Sequence, residues 1–162
     1  MYARSPRITR SQLIEIVQGR WPKLEATSKF GITDRAIYAP GNDYYVPPLE
    51  SFKKDLLRPS RINELKWVAE RRMCNVFSTY LQVDMARIIN GLVDLGELTG
   101  DEALLWPLGR MWGNFKHVRS GHSCNLAILR DGYDVDMQLV EPQRDTVRDL
   151  VDEDQPYYID FL

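Results

Sequence analysis

Between Ile62 and Leu95 apolar residues return at steps of three and four. Leu65, Val68 and Ala69 are followed by Val76, Phe77, Tyr80 and Leu81, and then by Met85, Ile88, Ile89 and Leu92. This is the period of a helix that hides one face. A run of about 34 residues is long for a helix in a globular domain, so a break is expected near Met73-Cys74. A helix with so continuous an apolar stripe needs a layer to bury it, and the rest of the chain has to supply that layer.

The last third of the chain changes period. His122 to Leu129 and Asp134 to Glu141 alternate, and Arg130-Asp131-Gly132 lies between them, which predicts a β-hairpin with a short glycine-containing turn. Leu108 to Trp112 predicts a further short strand, weakened by Gly109. Tyr157 to Phe161 predicts an edge strand or a segment packed on the first helix. Upstream, Ile8 to Gly19 predicts an amphipathic helix capped by Thr9 or Ser11. Pro40-Gly41-Asn42-Asp43 marks a turn, and Leu49 to Leu57 predicts a second short helix ended by Pro59. Helices first and strands afterwards is the α+β order. The expectation is one domain over 1–162, with N-terminal helices and a central Cys-bearing helix on a small antiparallel sheet.

Composition narrows the function classes. The 162 residues are 44% hydrophobic, enough for a core without staples, and 21 basic against 23 acidic residues leave a net charge of −2. That balance offers no general attraction to nucleic acid or to an anionic membrane surface. No segment approaches the roughly 20 apolar residues that span a bilayer, and no apolar stretch follows the basic N-terminus to make a secretory signal. Two cysteines, Cys74 and Cys124, are too few for a disulfide framework and point to a reducing, cytoplasmic compartment. There is no glycine-rich phosphate loop, and no cofactor is expected. His117 has no Cys or His at ligand spacing, and Asp131, Asp134 and Asp136 lack the order of a calcium loop, so no metal is expected either.

One constellation carries chemistry. Cys74 stands near the start of the long helix, His122 opens one strand of the hairpin, and Glu141 closes the other. A hairpin brings the start of its first strand opposite the end of its second, so His122 and Glu141 are expected to be neighbours. A thiol acts as a nucleophile only as thiolate, and a helix N-terminus and a histidine both favour the anion. Glu141 would orient the imidazole and stabilise its cation. Each residue also has a plain alternative. Cys74 packs equally well as a small hydrophobe, His122 as a histidine satisfied by the hairpin backbone, and Glu141 as a strand-end carboxylate.

The segments Gly121-His122-Ser123-Cys124-Asn125-Leu126 and Leu139-Val140-Glu141-Pro142-Gln143-Arg144-Asp145 resemble a papain-like family that includes phage-encoded small proteins and the peptidase-like domain of a fungal agglutinin. Tyr45-Val46-Pro47-Pro48-Leu49, Cys74-Asn75-Val76-Phe77 and Trp112-Gly113 extend the resemblance over residues 44 to 145. It implies a papain-like Cys74–His122–Glu141 hydrolase or acyl transferase acting on peptide or amide bonds. It also suggests binding roles for Asn125, Gln143 and Trp112, a protein or peptide partner, and a phage source with the protein in the host cytoplasm or virion. The family pattern has two aspartates after the cysteine, and here Asn75 and Val76 replace them. That departure supports the alternative, a catalytically silent phage-associated protein that works by binding, with a place in a larger assembly. Enzyme and binding protein both stay open at this point.

Overall fold

The computed structural model describes residues 6–28, 35–68, 74–116, 118–132 and 134–162. The chain begins with β1 (Arg7–Thr9), α1 (Arg10–Arg20), β2 (Glu25–Thr27), β3 (Ala36–Tyr38) and β4 (Asp43–Tyr45). Three short helical pieces follow without a gap: α2 (Leu49–Ser51), a π-helical turn (Phe52–Leu57) and α3 (Arg58–Ser60). Then come α4 (Cys74–Asp94), β5 (Leu108–Phe115), β6 (Val118–Asp131), β7 (Asp134–Glu141), β8 (Thr146–Asp149) and β9 (Gln155–Phe161). Seven strands form one sheet in the order β2-β3-β9-β5-β6-β7-β8, while β1 and β4 pair separately. The β2–β3 and β3–β9 pairs are parallel and the others antiparallel.

Local chemistry accounts for the helices. Thr9 caps α1 through a reciprocal pair, its Oγ1 accepting from the Gln12 N–H at 3.2 Å and Gln12 Oε1 accepting from the Thr9 N–H at 2.8 Å. In α4 the buried Phe77, Leu81, Met85 and Ile89 recur every fourth residue and make a single stripe. Each such side chain contributes about 1.5–3 kcal/mol by leaving water.

The sheet carries a core on each face. Along β6, Leu126 and Ile128 point into a cluster with Leu13, Val17 and Tyr44, whereas Ala127 and Leu129 point into a cluster with Phe52, Phe77, Leu81 and Met85. The α1 segment therefore covers one face and α4 with the 49–62 segment the other. Strand β5 runs through the middle, where Gly109 is required by close approach. A Cβ there would sit 2.7 Å from Ile159 Cγ2 and 3.0 Å from the Phe161 ring.

This architecture corrects the expected fold class. The layer beneath the Cys-bearing helix is not a small antiparallel sheet but a seven-stranded mixed one, and the N-terminal segment contributes strands as well as α1. β2 and β3 are three residues each, too short to show alternation, and parallel pairing joins segments far apart in sequence. β9 is no edge strand; it lies between β3 and β5, with Tyr158, Ile159 and Phe161 buried. The helical period read from Ile62 onward is also corrected. Arg61 adopts a left-handed backbone (φ 53°), Ile62–Glu64 is a single 3₁₀ turn, and Leu65 is extended. The expected break near Met73-Cys74 lies outside the described residues, as does His117.

Candidate functional site at the open end of the hairpin

Three polar ties seat α4 on the sheet. Ser78 Oγ lies 2.8 Å from Ser123 Oγ. The Asn125 amide donates to the Ser78 carbonyl at 2.9 Å and to Gly109 O at 3.3 Å. The Gln82 amide donates to Leu108 O at 3.0 Å and Asp160 O at 2.9 Å. These bonds are buried, so each is worth more than its exposed counterpart and expensive to leave unmade. They fix the helix in register with β6 and so fix where Cys74 stands.

The hairpin ladder runs from Asp131↔Asp134 to Asn125↔Val140 and stops there. On its other edge β7 pairs with β8 from Gln138↔Asp149 and continues one residue further, to Glu141↔Thr146. The parting leaves the Ser123 N–H to donate to Cys74 Sγ at 3.4 Å. Continued register would set His122 opposite Gln143, yet His122 reaches diagonally and its Nε2 meets Glu141 Oε2 at 2.8 Å. Both side chains are well covered, 13% and 18% exposed. The imidazole also stands edge-on to Phe115, with ring centroids 6.2 Å apart at 84°.

The electrostatics follow from this packing. Burial pulls the His122 pKa down, but hydrogen bonds to Cys74 and Glu141, together with their charge, outweigh it and raise the value to about 9. The ring is therefore an imidazolium at neutral pH. Burial pushes the Cys74 thiol up, and the hydrogen bonds from His122 and from the Ser123 and Asn75 backbones overcome it, so the pKa falls below that of an ordinary thiol. Cys124 is buried on the sheet face that carries the α1 core, and burial drives its thiol well up. Both cysteines are free.

A cleft of about 150 Å³ opens beside the imidazole. Phe115, Val118 and Leu139 form its apolar wall, and Gln143, Arg144 and Thr146 its polar rim. The structure thus joins Cys74 to His122 and His122 to Glu141, and it sets Gln143 in the cleft with His122 and Glu141; Cys124, not Cys74, is the cysteine that lines the cleft. It separates the other two candidates from them. Asn125 is buried and bound to backbone between α4 and β5, and its role is to hold those elements together. Trp112 lies outside the cleft wall, packed against Gly121, where a Cβ would come 3.0 Å from its ring.

Sequence reasoning missed Ser123, whose contribution is a backbone N–H and so carries no side-chain signal. It also missed Arg144 as a rim residue, although the glutamate-proline-glutamine segment before it marked the turn. Among the described residues no group of three His, Cys, Asp or Glu side chains is placed to hold a metal ion. No helix among them is long and apolar enough to cross a membrane.

No family model matches the chain, and no curated protein matches it in sequence. Solved structures do match in fold. One, described as the PSL1a-E64 complex, has a TM-score of 0.70 at 17% identity over 96% of this chain and 51% of its own. Another is Polyporus squamosus lectin bound to the human-type influenza-binding epitope Neu5Aca2-6Galb1-4GlcNAc, with a TM-score of 0.68 at 17% identity over 96% of this chain and 50% of its own. At that identity the likeness shows the fold alone. The chain spans about half the length of these structures.

These findings correct the resemblance read from the sequence. The matched structures include a lectin and no family model supports a papain-like peptidase, so the hydrolase or acyl-transferase assignment is withdrawn, and the phage source with it. The motifs that carried the resemblance are short and local. A local likeness of this kind does not by itself carry a family's activity.

Proposed function

We propose that this chain is a binding module whose ligand seats at the open end of the β6–β7 hairpin, with 1–162 acting as one unit. The observation that carries the reading is the His122 imidazolium, held between Glu141 and Cys74 beside a cleft with an apolar wall. A few polar groups fixed in place beside apolar surface are the usual construction of a small-ligand seat. Both matched structures are described with a bound ligand, which supports a binding role for the shared fold. The partner we favour is a protein or peptide that inserts one small group into the cleft. The two unpaired thiols support a reducing compartment such as the cytoplasm.

The lowered Cys74 thiol favours a second role for the same residues. Cys74 is the nucleophile of the centre, His122 its proton partner, and Glu141 the group that orients the ring. Reaction with iodoacetamide reads this directly: the Cys74 sulfur forms a carbon bond as iodide departs, and peptide mapping locates the adduct. Ligand in the cleft should shift the NMR signals of the His122 imidazole, which lines it. Candidate ligands that bind the chain and leave those signals unchanged would move the seat elsewhere.

A further inference from the structure

We propose that the cleft captures the C-terminal residue of a peptide, with Arg144 pairing its carboxylate and the Phe115–Val118–Leu139 wall holding its apolar side chain. The inference rests on the binding reading above and names the chemistry that the seat takes. The charges around the cleft decide it. Arg148 is spoken for: its guanidinium makes a two-pronged contact to the buried Asp154, Nη1 to Oδ2 at 2.7 Å and Nη2 to Oδ1 at 2.9 Å. His122 and Glu141 neutralise one another at 2.8 Å. Arg144 alone among the rim cations has no ion pair with a described residue, and its side chain is exposed at the mouth. Its backbone N–H, bonded to the Glu141 carbonyl at 3.1 Å, ties the turn that presents it.

A guanidinium accepts a carboxylate in two parallel hydrogen bonds, a geometry that an ammonium does not offer. Gln143 and Thr146 stand on the same rim and add neutral donors for the same oxygens or the adjoining peptide group. Phe115, Val118 and Leu139 line the same cleft, apolar surface that rewards an aliphatic or aromatic side chain and gives nothing to hydroxyl groups. A peptide that ends in an aliphatic or aromatic residue presents a carboxylate with an apolar side chain on the neighbouring carbon. The carboxylate of an acidic sugar stands on a ring dressed with hydroxyl groups, so the wall favours the peptide.

The experiment uses the full chain and three probes in calorimetric titration: acetyl-Gly-Gly-Leu as free acid, the same peptide as C-terminal amide, and the methyl glycoside of N-acetylneuraminic acid. The expected result is acid over amide by about tenfold or more, the scale of a charged hydrogen-bond pair. The sugar should bind more weakly than the acid. Arg144→Gln should bring acid and amide within about twofold of one another, because the exposed side chain contributes little to the fold. Equal affinity for acid and amide, a preference that survives Arg144→Gln, tighter binding of the sugar, or no binding of any probe each overturns the proposal. Equal affinity that still shifts the His122 imidazole signals overturns the carboxylate anchor and leaves the seat standing. Binding that leaves those signals unchanged removes the seat itself.

Discussion

The two ends of the β6–β7 hairpin are built from one ladder and behave oppositely. At the turn end, Asp131 faces Asp134 and every step back to Asn125↔Val140 is paired, with Leu126, Ile128 and Leu139 sealing one face. At the other end the strands part, and the polar groups that a ladder would have consumed are turned to other partners. Ser123 donates to a sulfur, and His122 bonds Glu141. The two cysteines show the consequence. Cys124, two residues from His122 on the α1-facing side, has its thiol pushed up by burial; Cys74, at the parting, has its thiol lowered. Stability resides where pairing is complete, and the shifted thiol and imidazole lie where it stops.

The largest expected effect is on that contrast of thiols. At about pH 6, iodoacetamide should label Cys74 faster than Cys124 by about a hundredfold or more, since only a thiolate reacts. His122→Ala should slow the Cys74 reaction about tenfold, and Glu141→Gln should slow it less, as it removes only support for the imidazolium. Equal slow labelling of both cysteines, unaltered by His122→Ala, would erase the difference between the two ends.

Next in size is the stability of the paired region. Leu81→Ala removes a fully buried side chain from the α4 stripe and should cost about 2–5 kcal/mol in urea unfolding. Arg144→Gln at the open end should stay within about 0.5 kcal/mol of the parent. A large loss from the rim substitution would show that the open end carries structural weight.

The pH dependence of stability comes third. His122 titrates near 9 in the fold against 6.5 as its ordinary value, so its stabilisation is complete below about 6.5 and is lost as pH rises through about 9. After allowance for solvent, about 1–2 kcal/mol of the His122 part should disappear between pH 6 and pH 10, offset in part by Cys74, whose lowered thiol adds stability as pH rises through the same range. In His122→Ala that part of the slope should be missing. An identical slope in parent and variant would assign the pH dependence to other groups. The smallest effect lies at the closed end. Gly132 holds φ at +59° in the turn, and Gly132→Ala should cost about 1 kcal/mol by thermal unfolding. A neutral result would show a turn that tolerates an ordinary backbone.

What the amino-acid order determined by itself is local. The four-residue period of Phe77, Leu81, Met85 and Ile89, the Thr9–Gln12 cap and the glycine turn between two alternating strands are each set by neighbours within a few residues. Proximity of His122 and Glu141 was legible for the same reason, since one hairpin contains both. The Ile62 to Val68 stretch misled because its spacing suits a helix while the left-handed Arg61 turns the chain away. The seven-stranded sheet, with β9 in its interior and three-residue strands beyond it, was decided only by tertiary structure. Parallel pairing of β3 with β9 depends on two distant segments meeting, and nothing in either one records the other. The site divides in the same way. Its residue types stand in the sequence, but the shifted pKa values of Cys74 and His122 and the exposed Arg144 at the rim, without an ion pair among the described residues, arise where strands part and burial, charge and geometry act together.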